Sequence, residues 1–164
     1  MNAADELETV DHPLRGEFVA AARAGLLAKA DHPDHLTASA LVLDASRTSV
    51  LLVLHKKVGL WMQPGGHLEP ADAALAAAAL REAVEETGLP DLRLLTGTPF
   101  DLDRHAAPCG ARHHLDVRFL VLSEGRAVPT VSDESDDVRW FGVDALPTGA
   151  VPDLASFVQA ALSV

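Results

Sequence analysis

A mixed β-sheet held between helices, of the α/β or α+β class, is the fold this sequence predicts, and three observations predict it. Strand-like runs fall into two groups separated by a long helical segment. Further helical segments stand before the first group and after the second. No internal repeat, heptad pattern or long linker interrupts the order, so a helix–strands–helix–strands–helix chain packs as layers around one sheet. The expected organisation is a single domain over residues 1–164.

Taken in order, "LRGEFVAAARAGLLAKA" combines helical periodicity with good helix formers and predicts a first helix over about 14–30. "DHPDH" then breaks it. "LTASALVLD" and "SVLLVLHKK" read as two strands around the polar turn "ASRTS". "GLWMQPGGHLEP" is a loop with a short extended piece, and Asp72 is the expected N-cap of a helix reaching about Thr87. Three strand-like runs follow: "DLRLLTG", "PFDLD" and the strongest, "HHLDVRFLVLS". The acidic loop "EGRAVPTVSDESDD" leads into a strand at "VRWFGV", and a helix over about 153–162 comes last.

The formal charge of −11 leaves no basic surplus for counterion release, which argues against a nonspecific binder of nucleic acid or of an acidic membrane. A small anionic substrate stays compatible, because a divalent ion reverses the local sign. Cys109 is the single cysteine, so no intrachain disulfide forms and a reducing compartment fits. The acidic start "MNAADELETVDHP" does not resemble a signal peptide, and no apolar run is long enough for a bilayer. A cytoplasmic protein is the expectation.

The chemistry concentrates in "LREAVEETGL". On a helix, Glu82, Glu85 and Glu86 share one face, where like charges cost about 0.2–0.5 kcal/mol per pair. Gly88 is the expected helix stop, so the negative end of the helix dipole opposes the same carboxylates by roughly 0.3–1 kcal/mol each. Folding alone does not ask for this arrangement, and a solvated acidic face is the plain alternative. A hard cation such as Mg²⁺ would use it, taking oxygen ligands from a few carboxylates. "QPGGH" adds a backbone able to approach a ligand closely, and Arg81 can hold a neighbouring carboxylate by charge-assisted hydrogen bonds.

The stretch "GGHLEPADAALAAAALREAVEETGL" resembles the Nudix box, with Gly66 at the opening glycine and "REAVEETGL" matching the second half at every fixed position. It departs twice. Asp72 stands where that family has its first glutamate, and eight residues rather than seven separate it from Arg81. One residue rotates an ideal helix by about 100°, so the extra one must be absorbed in the loop or the first turn.

The resemblance implies a Nudix-type α/β/α sandwich and hydrolysis of a nucleoside diphosphate linked to another group, or of a related organic pyrophosphate. It implies Mg²⁺ or Mn²⁺ held by Glu82, Glu85, Glu86 and the Gly65 carbonyl. Arg81 belongs with this catalytic set, and Glu134 in the acidic loop is the candidate for a distant ligand or the general base. The general base stays open among Glu85, Glu86 and Glu134. The partner is a small molecule, and a homodimer is compatible with the family.

Strand alternation puts His114, Asp116 and Arg118 on one face and Leu115, Val117 and Phe119 on the other. His114 and Arg118 are candidates to touch phosphate, against a solvent-facing polar stripe. Lys56 and Lys57 are either phosphate contacts or ordinary strand-end lysines. Trp61 is a candidate base platform or a core plug, while Trp140 is expected in the core. The chain has no tyrosine, which disfavours subgroups using one downstream of the box for dinucleoside polyphosphates. Two other functions stand beside hydrolysis. One is a noncatalytic nucleotide-sensing domain, and the other an isopentenyl-diphosphate isomerase, which would need Cys109 beside a glutamate in an apolar pocket.

Overall fold

The structure, a computed structural model, describes residues 3–27 and 33–164. Its elements are α1 (Ala3–Glu8), α2 (Arg15–Arg23), β1 (Asp34–Asp44), β2 (Ser49–His55), β3 (Trp61–Met62), β4 (Gly65–His67), α3 (Leu75–Thr87), β5 (Leu92–Leu94), β6 (Asp101–Ala106), β7 (His113–Ser123), β8 (Ser135–Gly142) and α4 (Leu154–Ala161). The mixed sheet between helices is therefore as the sequence predicts.

Strands β1 and β7 form its spine. They pair in parallel from Asp34↔His113 to Asp44↔Ser123, and no other strand pair is parallel among the described elements. The free edge of each spine strand is divided between two partners. β2 takes the C-terminal part of β1 and β4 its middle, at Thr37↔His67, Ala38↔Gly66 and Ser39↔Gly65. In the same way β5 takes the end of β7, and β6 takes its first half. Beyond β2 lie β3 and β8.

Alternation along β1 sorts its side chains. Leu36, Ala38, Ala40 and Val42 join Leu115, Val117, Phe119 and Val121 in the core under α3 and the N-terminal helices. Leu41 and Leu43 face the other way, into a second core with Leu120, Leu122 and the α4 residues Phe157 and Val158. The first halves of β1 and β7 carry polar side chains on this second face: His35, Thr37 and Ser39 beside His114, Asp116 and Arg118. All six are buried, so the stripe expected to face solvent lies inside the fold.

The N-terminal region differs most from expectation. The helix predicted over 14–30 ends at Arg23, where Gly25 turns the chain at φ 73°, a left-handed conformation glycine adopts without steric cost. Its predicted last residues, 28–30, lie outside the described residues. Phe18 and Ala21 are buried, and Leu14, Val19, Ala22 and Leu26 pack on the same core, so this helix uses its apolar side on its own sheet. The acidic opening segment forms α1.

From α1 comes an unexpected cap. Helix α3 has no side-chain cap of its own and no acid in its first turn. The buried Glu6 accepts a hydrogen bond from the Leu75 N–H at 3.2 Å, placing negative charge at the positive end of the helix. Asp72, the residue expected to cap, is engaged elsewhere, as described below. Losing a cap costs about 0.5–2 kcal/mol. The substitution Glu6→Ala should therefore lower unfolding stability by about that much in urea titration, with Glu6→Gln, which keeps an acceptor, losing less. Equal stability in Glu6→Ala and wild type would show that the cap contributes nothing.

Candidate metal and hydrolase site

The site forms where α3 packs against β4 and the loop before it. Helix α3 stops as predicted: Gly88 adopts φ 69° and its N–H bonds to the Val84 carbonyl at 2.8 Å. That fixes the last two turns, which carry Glu82, Glu85 and Glu86. Glu82 and Glu86 turn toward β4 and are mostly buried, while Glu85 stays exposed.

Two glycines make this approach possible. A Cβ on Gly65 would sit 2.4 Å from the Ser39 Cβ, and one on Gly66 would sit 2.6 Å from Glu82 Oε2. Strand β4 thus lies flush against β1 on one side and against a carboxylate on the other. The Gly65 N–H donates to Glu86 Oε2 at 3.2 Å.

Arg81 organises the acids. Its Nε and Nη2 grip both oxygens of Asp72, at 3.0 and 2.9 Å. Nη1 donates to Glu82 Oε1 at 2.9 Å and to Glu85 Oε2 at 3.1 Å, and Nη2 also reaches the His67 carbonyl at 2.9 Å. Here is the employment of Asp72: a bidentate partner of Arg81, not the helix cap. In the turn ahead of Leu75, Ala74 is extended at φ −161° and ψ 160°. The shorter aspartate reaches Arg81 from that turn.

Electrostatics set the carboxylates apart. The Arg81 hydrogen bonds hold Asp72 below the usual carboxylate range. Burial pushes Glu82 up, against the pull of Arg81. Glu86, which Arg81 does not touch, is pushed up to about 8, first by burial and then by the charges of Glu82, Glu134 and Glu85. Exposed Glu134 is therefore close enough for its charge to be felt at both buried glutamates. Lys56 helps hold its loop: the backbone N–H donates to the Glu134 carbonyl at 3.1 Å and Nζ to the Asp133 carbonyl at 2.9 Å. Buried, mutually repelling oxygens around a backbone without side chains are the donor set of a hard divalent cation, so these residues fit Mg²⁺ or Mn²⁺.

The other expected residues are placed differently. Arg118 is 5% exposed and ringed by aspartates: Asp153 at 2.6 Å, Asp103 at 3.0 Å, Asp101 at 3.3 Å and Asp116 at 3.6 Å. Its guanidinium also lies 4.8 Å from the centroid of the Phe157 ring. Thr37 and Ser39 donate to the two oxygens of Asp116, at 2.9 and 2.6 Å. His114 belongs to a cluster with His35, His67 and Cys109 that sequence spacing did not indicate. Trp61 is half-buried in β3, edge-on to Phe141 at 4.8 Å. Trp140 packs on the first core, with Nε1 donating to the Ala127 carbonyl at 3.1 Å.

Comparison with known proteins follows the same lines. The NUDIX domain family pattern matches residues 33–161. A NUDIX-family hydrolase from Clostridium perfringens superposes with a TM-score of 0.67 at 21% identity, covering 79% of this chain and 96% of that one. The C. elegans Ap4A hydrolase in a binary complex also gives 0.67, at 17% identity, covering 78% and 95%. A bifunctional NMN adenylyltransferase/ADP ribose pyrophosphatase from Francisella tularensis, complexed with AMP and a manganese ion, gives 0.55 at 22% identity, covering 95% of this chain and 51% of that one. The chain belongs to the Nudix hydrolase family. No helix among the described residues is long and apolar enough to cross a membrane.

Asp72→Asn keeps the shape and removes the charge, so it should cost about 1.5–3 kcal/mol of stability near neutral pH, the range for hydrogen bonds to charged groups. Because the folded pKa of Asp72 is depressed, its contribution is complete above the unfolded value near 3.9 and is lost as pH falls through the folded one. Urea titrations should therefore separate wild type from the variant at neutral pH and bring them together in acid. A gap that persists unchanged at low pH would contradict the charge assignment. Gly66→Ala should displace Glu82 and weaken Mg²⁺ binding by calorimetry with a modest change in stability. Gly65→Ala, which meets β1 backbone at 2.7 Å, should instead destabilise the fold.

Proposed function

We propose that this chain is a metal-dependent pyrophosphohydrolase acting on a nucleoside diphosphate linked to another group, or on a related organic pyrophosphate. One observation carries the proposal: Glu86 is buried and Glu82 partly buried against a side-chain-free stretch of β4, with Arg81 neutralising only part of the charge. Glu82, Glu85, Glu86 and the Gly65 carbonyl would hold Mg²⁺ or Mn²⁺. When bound, the ion supplies neutralisation of charge developing on the pyrophosphate and acidifies the attacking water.

The chain's own groups supply the rest. Arg81 fixes the oxygens of Glu82 and Glu85, so that the carboxylates do not swing apart as the substrate arrives. A carboxylate takes the proton from water; Glu85 and Glu134 are exposed to do so, and Glu86 sits deeper. Arg118 has its charge matched by aspartates, so its part in the proposal is to shape the polar floor rather than to clamp phosphate alone. Trp61 presents the half-exposed ring that a base could stack on.

A nucleotide substrate is in keeping with the Francisella neighbour complexed with AMP and a manganese ion, whose likeness at 22% identity is one of fold and covers 51% of its length. The Ap4A hydrolase likeness rests on fold alone at 17% identity, and this chain has no tyrosine. The retention of every box carboxylate after Arg81 favours an enzyme over a sensor. Cys109 stands against imidazoles rather than a glutamate in an apolar pocket, which weighs against the isomerase.

The test is a panel of ADP-ribose, nucleoside triphosphates, oxidised nucleotides, nucleotide sugars and dinucleoside polyphosphates with Mg²⁺ or Mn²⁺, read by chromatography. One compound should be cleaved to nucleotide products. Chelation should stop cleavage, and Glu85→Gln or Glu86→Gln should slow it by about 100-fold or more. Tight ion binding with no compound cleaved would favour the sensor.

A further inference from the structure

Outside the carboxylate site, four side chains from separate parts of the sequence converge. His35 begins β1, His67 ends β4, His114 lies at the start of β7, and Cys109 comes from the loop between β6 and β7. Each offers one ligand atom, and the four atoms lie within 4.8 Å of one another. Cys109 Sγ is 3.2 Å from His114 Nε2 and 3.9 Å from His35 Nε2. The three imidazole rings stand 4.9 to 5.1 Å apart, centroid to centroid, in tilted and edge-on arrangements. His35 and His114 are buried, and His67 and Cys109 are half-buried.

We propose that these four residues form a zinc site, distinct from the carboxylate site and structural in role. Zinc takes four ligands tetrahedrally, with Zn–N near 2.0–2.1 Å and Zn–S near 2.3 Å, so its ligand atoms stand about 3.3–3.6 Å apart. The separations of Cys109 Sγ from two imidazole nitrogens, 3.2 and 3.9 Å, bracket the sulfur–nitrogen value, and all four ligand atoms lie within 4.8 Å. Three imidazoles and one thiolate suit zinc and are poor partners for Mg²⁺, which demands oxygen. Four protein ligands close the coordination sphere, as structural sites do, leaving no position for water or substrate. Binding displaces the thiol proton of Cys109, and Zn²⁺ with one thiolate and three neutral imidazoles carries a single net positive charge.

The fold supplies outer support. His105 lies edge-on to His114 at 5.4 Å and shares a 2.7 Å contact between Nδ1 and Asp103 Oδ2. The His67 carbonyl receives the Arg81 Nη2 hydrogen bond, so an ion on the His67 ring fixes the strand that also carries Gly65 and Gly66. A zinc here would pin β4, β1, β7 and the Cys109 loop to one point, beside the catalytic carboxylates but chemically separate from them.

Cobalt reports on such a site, because a tetrahedral Co²⁺–thiolate centre absorbs through sulfur-to-metal charge transfer. Metal-free full-length protein titrated with Co²⁺ should develop that band at one ion per chain, and Zn²⁺ should bleach it. The band should persist in Glu85→Gln and Glu86→Gln and vanish in Cys109→Ser. His114→Ala should weaken zinc binding by more than the roughly 10–100-fold typical of an outer-shell change. In the unmodified chain, Zn²⁺ should protect Cys109 from alkylation by iodoacetamide, a readout that needs no variant to fold. The proposal is overturned by absence of the band in wild type, by its survival in Cys109→Ser, by its loss in Glu86→Gln, or by an alkylation rate indifferent to zinc. None of these outcomes bears on whether the carboxylate site hydrolyses pyrophosphate.

Discussion

The guanidinium of Arg81 is the interaction on which the carboxylate corner depends. Two of its donors grip Asp72, its Nη1 divides between Glu82 and Glu85, and Nη2 also holds the His67 carbonyl. Helix α3, the turn before it and strand β4 are thereby tied to one planar group. A lysine could not replace it, because a single ammonium lacks the fixed fork that serves three acids and a carbonyl together. Asp72, deprived of that partner, would be a half-buried carboxylate with only the Glu69 N–H to satisfy it.

What Arg81 leaves undone matters as much. It does not touch Glu86, which is buried, within reach of the charges of Glu82, Glu85 and Glu134, and relieved chiefly by the Gly65 N–H. Burying one carboxylate near others without a matching cation costs stability. The two apolar cores on either face of the sheet and the Glu6 cap on α3 offset that cost. The deficit of positive charge lies where no Cβ obstructs an approach, at Gly65 and Gly66. Local destabilisation concentrated at one corner of a well-packed fold is the pattern expected of a functional site.

Some of this was legible in the sequence because it depends on short spacings. Glu82, Glu85 and Glu86 share a helix face whatever surrounds them, Gly88 stops the helix by its own backbone freedom, and alternation in β7 sorts Val117 and Phe119 from Asp116 and Arg118. Residues acting at a distance leave no trace in short spacings. An aspartate just before a helix reads as a cap, and only the reach of Arg81 across nine positions reveals its use. The six residues of α1 are too few for a periodicity, and the partner of Glu6 lies 69 positions away. Alternation in β7 yields a polar stripe without showing what covers it; in the fold His114, Asp116 and Arg118 are buried and aspartates surround Arg118. The histidine cluster had no signature at all: His35 meets His114 only because β1 and β7 pair in parallel in one register.

That register also explains how two kinds of donor can stand so close without interfering. Along β4, the glycines face the carboxylates of α3, and the next residue is His67, at the end of the strand's contact with β1. First-row metals favour nitrogen and sulfur sites in the Irving–Williams order, and Mg²⁺ has no comparable affinity for them. An N₃S cluster would therefore take the softer ion and leave an oxygen-only corner to the harder one. Strand β4 is three residues long. Its position is set by glycine packing at one end and by the His67 carbonyl and ring at the other, so an ion at the cluster would steady the backbone that the carboxylate site requires.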